Sequence, residues 1–258
     1  MKQHLTGFFM AWGNFCALPC PCKRWDTNAT PLMLGFLPSV GVIIGAIWAA
    51  LYFAAVYFGL PYLVVAFLVT FLPFALCGFL HMDGFMDCSD AILSRRPLED
   101  RQRILKDSHT GAFAVISIVF YILAYFAFTS TAITIGIDFA NMILLVCLSR
   151  SVSGLHVLIA KPMQTSQYAG GFQATKNKRQ LTALAILNAA AIAAGLALFK
   201  HAWFTVCAVG TELSALLFCR AARRDLGGMS GDISGFSITL GELAGLVLLL
   251  AGQGVLWS

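Results

Sequence analysis

Seven stretches of about 20 mostly apolar residues, near 34–58, 60–80, 112–136, 139–160, 181–199, 202–219 and 236–257, constrain this chain more than any other feature. Each matches the hydrocarbon thickness of a bilayer, where no water is present to satisfy backbone N–H and C=O groups. Helices are then required, since segments this long and continuously apolar do not suit barrel strands. Hydrophobic residues make up 59% of the 258 residues and charged residues 11%, with a mean hydropathy of +0.81, which excludes an ordinary soluble domain. The expected fold is all-α: a polytopic membrane bundle of about seven transmembrane helices, organised as one domain over residues 1–258.

The basic residues orient that bundle. Of the 17 lysines and arginines, fifteen fall into alternate connections. Lys2, Lys23 and Arg24 precede the first span, and Arg95, Arg96, Arg101, Arg103 and Lys106 lie between the second and third. Lys161, Lys176, Lys178 and Arg179 join the fourth to the fifth, and Arg220, Arg223 and Arg224 join the sixth to the seventh. By the positive-inside rule the N-terminus is cytoplasmic and the C-terminus outside. The net charge of +5 suits anionic lipid or an anionic substrate, and no nucleic-acid module is visible. Residues 3–18 are apolar but short and lack a small-residue cleavage site, so they read as an interfacial helix ahead of the first span. The eight cysteines show no paired metal-ligand spacing, and Cys20-Pro21-Cys22 has no partner pair.

The chemistry collects at one face. In His81-Met82-Asp83-Gly84-Phe85-Met86-Asp87-Cys88-Ser89-Asp90, the aspartates follow i, i+4, i+7 spacing. On a helix they fall within an arc of roughly 60°. Like charges so placed repel, unless a divalent ion sits among them and a polyphosphate completes its shell. The bland alternative is a solvated acidic first turn favoured by the helix dipole. His81 is open among general base, metal ligand and helix-boundary residue.

Other polar clusters lie on the same side. Lys106-Asp107-Ser108-His109-Thr110-Gly111 follows a short cytoplasmic helix, and Ala169-Gly170-Gly171-Phe172 is a glycine turn. In Gly227-Gly228-Met229-Ser230-Gly231-Asp232-Ile233-Ser234-Gly235, glycines would let backbone N–H groups approach a phosphate where the last helix opens. Arg150, Glu212 and Glu242 lie within spans, where an isolated charge is expensive and is paired or lines a cavity. Arg150 is expected to point at the acidic site or its substrate, while His156 and Asn188 read as packing groups.

At these residues the chain resembles the cobalamin synthase family, the adenosylcobinamide-GDP ribazoletransferases, over nearly its whole length. The family's His-x-Asp-Gly-x-x-Asp-x-x-Asp signature matches His81, Asp83, Gly84, Asp87 and Asp90. Its Lys/Arg-Asp-Ser-x-x-Gly element matches Lys106, Asp107, Ser108 and Gly111. Leu18-Pro19-Cys20-Pro21 and Gly35-Phe36-Leu37-Pro38-Ser39-Val40-Gly41 are similar to its N-terminal region, and Gly227 to Gly235 with Gly241-Glu242-Leu243 to its C-terminal one. Three positions depart: Ala91 for glycine, His109 for arginine and Ser230 for threonine. A histidine at 109 would be a weaker, pH-dependent phosphate contact.

The resemblance implies transfer of GDP-activated cobinamide onto alpha-ribazole or its 5'-phosphate, with GMP leaving, in the cytoplasmic (inner) membrane. It implies Mg2+ held by Asp83, Asp87 and Asp90, with Asp87, Asp90 and His81 as the catalytic candidates. Lys106, Asp107, Arg150, Ser230, Gly231 and Asp232 are the substrate- or phosphate-binding candidates. The implied partners are the two substrates and the lipid bilayer, with no nucleic acid. There is room for a homo-oligomer or for association with other cobalamin-pathway enzymes. Two rival readings are weighed: a CDP-alcohol phosphotransferase, whose Asp-Gly-x-x-Ala-Arg opening fails at Asp87-Cys88, and a transporter with Arg150, Glu212 and Glu242 lining a path.

Overall fold

The computed structural model describes residues 2–136, 139–164, 166 and 202–252. Apolar continuity produces helices throughout: α1 (Lys2–Phe15), α2 (Thr30–Gly35), α3 (Leu37–Tyr57), α4 (Tyr62–Leu76), α5 (Leu80–Leu93), α6 (Leu98–Ile104), α7 (Ala112–Ile135), α8 (Phe139–Ile159), α9 (Ala202–Leu226) and α10 (Gly231–Gly252). Among the described residues no β-strand occurs; the nearest approach is an isolated parallel bridge between Pro162 and Met229.

The spans depart from expectation in number. By length and composition α3, α7 and α10 can each cross a membrane, and α4 with α5 makes a fourth if that bent pair is counted as one. The apolar part of α8, Ile143–Ile159, is shorter, α9 is not among the helices that qualify, and the expected span at 181–199 lies outside the described residues. Asn188 and the glycine turn at 169–172 lie outside them as well.

The break between α4 and α5 has a local cause. Gly78 and Phe79 are both left-handed (φ 62° and 59°), and the Phe79 N–H donates back to the Phe74 carbonyl at 2.9 Å. For phenylalanine this conformation costs about 1 kcal/mol or more. The chain turns through 86°, so α5 runs across the direction of α4. We read α5 as lying at the membrane face, outside the crossing segments.

Small residues then set the packing. On α5, a Cβ at Gly84 would lie 2.7 Å from the Asp232 carbonyl oxygen, and on α10 a Cβ at Gly235 would lie 3.1 Å from that of His81. The two helices cross backbone to backbone. Beside the crossing, Phe85 stacks on Phe236 (centroids 5.7 Å apart) and tilts against Tyr121 at 5.2 Å, while Phe74 meets Tyr125 at 5.0 Å. Thr239 Oγ1 donates to the His81 carbonyl at 3.1 Å, and the Tyr121 hydroxyl to the Thr239 carbonyl at 3.2 Å. Helices α4, α5, α7 and α10 are thereby locked together.

Among the described residues, one full ion pair lies in the bundle interior. Arg150 on α8 and Glu242 on α10 are 2% and 5% exposed and joined by Nη1 and Oε1. Ser149 Oγ donates to the same Glu242 oxygen at 2.8 Å, and Arg150 Nη1 donates to the Val146 carbonyl at 2.8 Å. Arg150 Nη2 lies 3.1 Å from Cys77 Sγ and 3.5 Å from His81 Nδ1. The pair therefore ties α8 and α10 to the start of α5. Removing one partner leaves a buried charge unmatched, which costs more than removing both. Arg150→Gln is expected to destabilise the protein by about 3 kcal/mol or more, and Arg150→Met combined with Glu242→Leu by clearly less, read from unfolding in mixed-micelle SDS titrations.

Candidate active site

Four carboxylates lie within electrostatic reach of one another where α5 crosses α10. Asp83, Asp87 and Asp90 share a face of α5, as their spacing predicts, and Asp232 in the first turn of α10 is brought to them by the Gly84 contact. Among the described residues none of the four forms an ion pair; the pairs present are Arg103–Asp100, His109–Asp107, Arg150–Glu242 and Arg224–Asp225. The consequence is visible at Asp87. Its burial, and then the charges of Asp83, Asp232 and Asp90, push its carboxyl up to about 7.

Asp90 is oriented differently from its neighbours. Its Oδ1 accepts from the Ala114 N–H at 3.4 Å, at the N-terminus of α7, where a carboxylate is favoured by the unpaired N–H groups and the helix dipole. A Cβ at Gly111, the residue before α7, would overlap the Asp90 carboxylate, so a side chain there would displace that carboxylate from the start of α7.

The loop 227–230 delivers Asp232. Gly227 and Gly228 both have positive φ (83° and 156°), and a Cβ at Gly228 would lie 2.6 Å from the Met163 nitrogen. That close approach is the bridge itself: Met229 N donates to the Lys161 carbonyl and Met163 N to the Met229 carbonyl, each at 2.9 Å. Ser230 then caps α10, its Oγ accepting from the Ile233 N–H and donating to Asp232 Oδ2, both at 3.3 Å.

A cavity of about 180 Å3 opens beside the carboxylates. Asp83, Asp232, Ser230, Gly231 and His81 form its polar side, and an apolar floor comes from residues such as Phe15, Leu34 and Leu37. Helix α1 thus acts as part of a wall, which short apolar residues before the first span did not announce. His81 is 8% exposed, and burial, with the Arg150 guanidinium beside it, holds its imidazole well below the usual range. Its ring is a neutral group at the cavity wall.

Not every expected residue gathers here. Arg150, expected to reach a phosphate, is committed instead to Glu242 and does not line the cavity, because an unpaired guanidinium inside a bundle costs too much. Lys106 and Asp107 are exposed in the loop between α6 and α7. The Asp107 carboxylate accepts from the His109 N–H at 3.0 Å and meets its ring Nδ1 at 2.7 Å, contacts that hold it below the ordinary carboxylate range. Among the arginines of α6, Arg101 donates to the Asp225 carbonyl at 3.1 Å and Arg103 pairs with Asp100 at 2.9 Å. Gln102 donates to the Leu226 carbonyl at 2.8 Å, so α6 satisfies the C-terminal end of α9.

The donor chemistry fits a hard divalent cation. Oxygen ligands are plentiful, cations are absent from their immediate pairing, and Asp87 is strained electrostatically by its neighbours. Among the described residues no three His, Cys, Asp or Glu side chains stand close enough to form a ready-made cage. Mg2+ does not require one, since it commonly takes one or two carboxylates and fills its shell with water and phosphate oxygens.

Comparison with known proteins decides the lineage. Residues 7–250 match the family model described as cobalamin-5-phosphate synthase, CobS. The chain belongs to this family. It is 33% identical over 250 residues to an adenosylcobinamide-GDP ribazoletransferase of Clostridium perfringens strain 13, covering 96% of this chain and 99% of the relative. It is 31% identical over 247 residues to one of Clostridium botulinum strain Alaska E43, with 95% and 97% covered, and 30% identical over 258 residues to one of Lachnoclostridium phytofermentans, with 98% and 96% covered. No solved structure matches. Membership in this family sets aside the CDP-alcohol phosphotransferase and transporter readings.

The raised Asp87 carboxyl has a measurable sign. The folded protein holds this proton more tightly than the unfolded chain does, so the contribution of Asp87 to stability is greatest at low pH and is lost as pH rises from about 4 through about 7. In chelator-containing buffer, the melting temperature of the detergent-solubilised protein is expected to fall across that window, and Asp87→Asn to flatten the dependence.

Proposed function

We propose that this chain is a membrane transferase that joins GDP-activated adenosylcobinamide to alpha-ribazole or its 5'-phosphate and releases GMP, closing the nucleotide loop of adenosylcobalamin. The observation that carries the reading is a group of four carboxylates without an ion pair among the described residues, two of them lining a largely apolar cavity, in a chain of this family. The relatives' names supply the reaction, and the site supplies the chemistry it needs.

Asp83 and Asp232, the two carboxylates that line the cavity, would hold Mg2+, which when bound neutralises the pyrophosphate and polarises the attacked phosphorus. The chain's own groups do the rest. The opening turn of α10, with Ser230 and Gly231 at the cavity edge, offers helix N-terminal dipole and N–H groups to an anion. Asp87 is given the role of accepting the ribazole hydroxyl proton, supported by its half-buried position among like charges. Asp90 is the less favoured acceptor because its oxygens face the start of α7. His81 and Arg150 are read as positioning groups that fix the beginning of α5. The site belongs on the cytoplasmic face of the inner membrane, with the N-terminus inside and the C-terminus outside, a topology supported by the alternation of basic loops.

The test is GMP release from GDP-cobinamide and ribazole by purified protein, with and without Mg2+. Asp87→Asn is expected to lower the rate by at least about a hundredfold while the protein remains folded and inserted; full activity in that variant, or Mg2+-independent turnover by the parent, overturns the reading.

A further inference from the structure

On the far side of the loop 227–230 lies a second, chemically opposite feature. A groove of about 710 Å3 runs between the C-terminal ends of α8 and α9, with Lys161, Arg220, Arg223, Arg224 and His156 among its lining residues and, among the described residues, no carboxylate. Arg224 pairs with Asp225 at 3.3 Å, and among the described residues Lys161, Arg220 and Arg223 form no ion pair.

Cations at the end of a membrane helix are ordinary where they reach into water. Two atoms here do not. Among the described residues, Arg223 Nε and His156 Nδ1 are removed from solvent and have no hydrogen-bond partner. A buried guanidinium N–H with no acceptor is costly, and the shape of the fork matches a phosphoryl group. Gly227 and Gly228 form the adjoining wall, leaving backbone there without side chains to block an approach.

We propose that this groove binds a phosphate-bearing anion, at a site separate from the carboxylate cavity. Arg223 and Lys161 grip the phosphoryl oxygens, and Arg220 adds field at the rim. The same chemistry is offered by a soluble phosphorylated molecule and by an anionic lipid headgroup. The site does not rest on the transferase reading, since either can fail alone.

The experiment uses the full chain in nanodiscs of phosphatidylcholine, with EDTA present so that no divalent ion draws phosphate to the carboxylates. Inorganic pyrophosphate is the calorimetric probe. Binding is expected, weakened about tenfold by Arg223→Gln or Lys161→Gln, partly restored by Arg223→Lys, and unchanged by Arg96→Gln, which alters an exposed loop arginine. In a second arm, nanodiscs containing phosphatidylglycerol are examined by native mass spectrometry. Phosphatidylglycerol retained by the parent, lost in the same variants and displacing pyrophosphate identifies a headgroup as the source. Should Arg223→Gln not fold, the exposed Lys161 and Arg220 carry the comparison. Absence of pyrophosphate binding together with lipid retention that Arg96→Gln lowers as much as Lys161→Gln overturns the proposal, as does pyrophosphate binding unaffected by any groove variant.

Discussion

The backbone-to-backbone crossing of α5 and α10 at Gly84 and Gly235 is the contact on which the site depends. A side chain at either position would separate the helices and take Asp232 out of the field of Asp83 and Asp87. The favourable terms that hold the crossing lie beside it. Stacked Phe85 and Phe236 and the hydrogen bond from Thr239 to the His81 carbonyl oppose the repulsion among the carboxylates. Apolar burial and repulsion act on the same pair of helices, and the first is the stronger.

Charge is handled in opposite ways at two depths. Inside the bundle, Arg150 and Glu242 neutralise each other and spend their remaining hydrogen-bonding capacity on Ser149, the Val146 carbonyl and the edge of α5. Among the described residues the acids where α5 meets α10 are left without an ion pair, and so are Lys161, Arg220 and Arg223 at the ends of α8 and α9. A protein able to compensate a buried pair so fully in its interior leaves charge uncompensated where something else supplies the counter-charge.

How much of this was legible follows from distance along the chain. The shared face of Asp83, Asp87 and Asp90 is local, fixed by helical spacing, and the glycine-rich entry to the last helix announces itself by composition. That Asp232 completes the acidic cluster is not local: it needs the close approach at Gly84, and a glycine between two aspartates carries no mark of what will pack on it. Arg150 shows the opposite difficulty. A charged residue near a helix end reads as a substrate contact until its partner 92 residues away is known. The span expected at 60–80 ends where the left-handed pair at Gly78 and Phe79 turns the chain, and a phenylalanine gives no sequence signal for that conformation. Gly111 has a cause only in space, the Asp90 carboxylate that occupies the place of its side chain.

The loop 227–230 joins the two unmatched regions. One end is held by the bridge to Lys161 and Met163, so it moves with the end of α8; the other is the cap of α10, so Ser230 and Asp232 move with it. Gly228 leaves no slack, because its backbone already lies against Met163. The end of α8 is therefore tied by hydrogen bonds to the edge of the carboxylate cavity. Four residues of backbone, with a base at one face and an acid at the other, are a short lever, and their stiffness comes from paired hydrogen bonds at both ends.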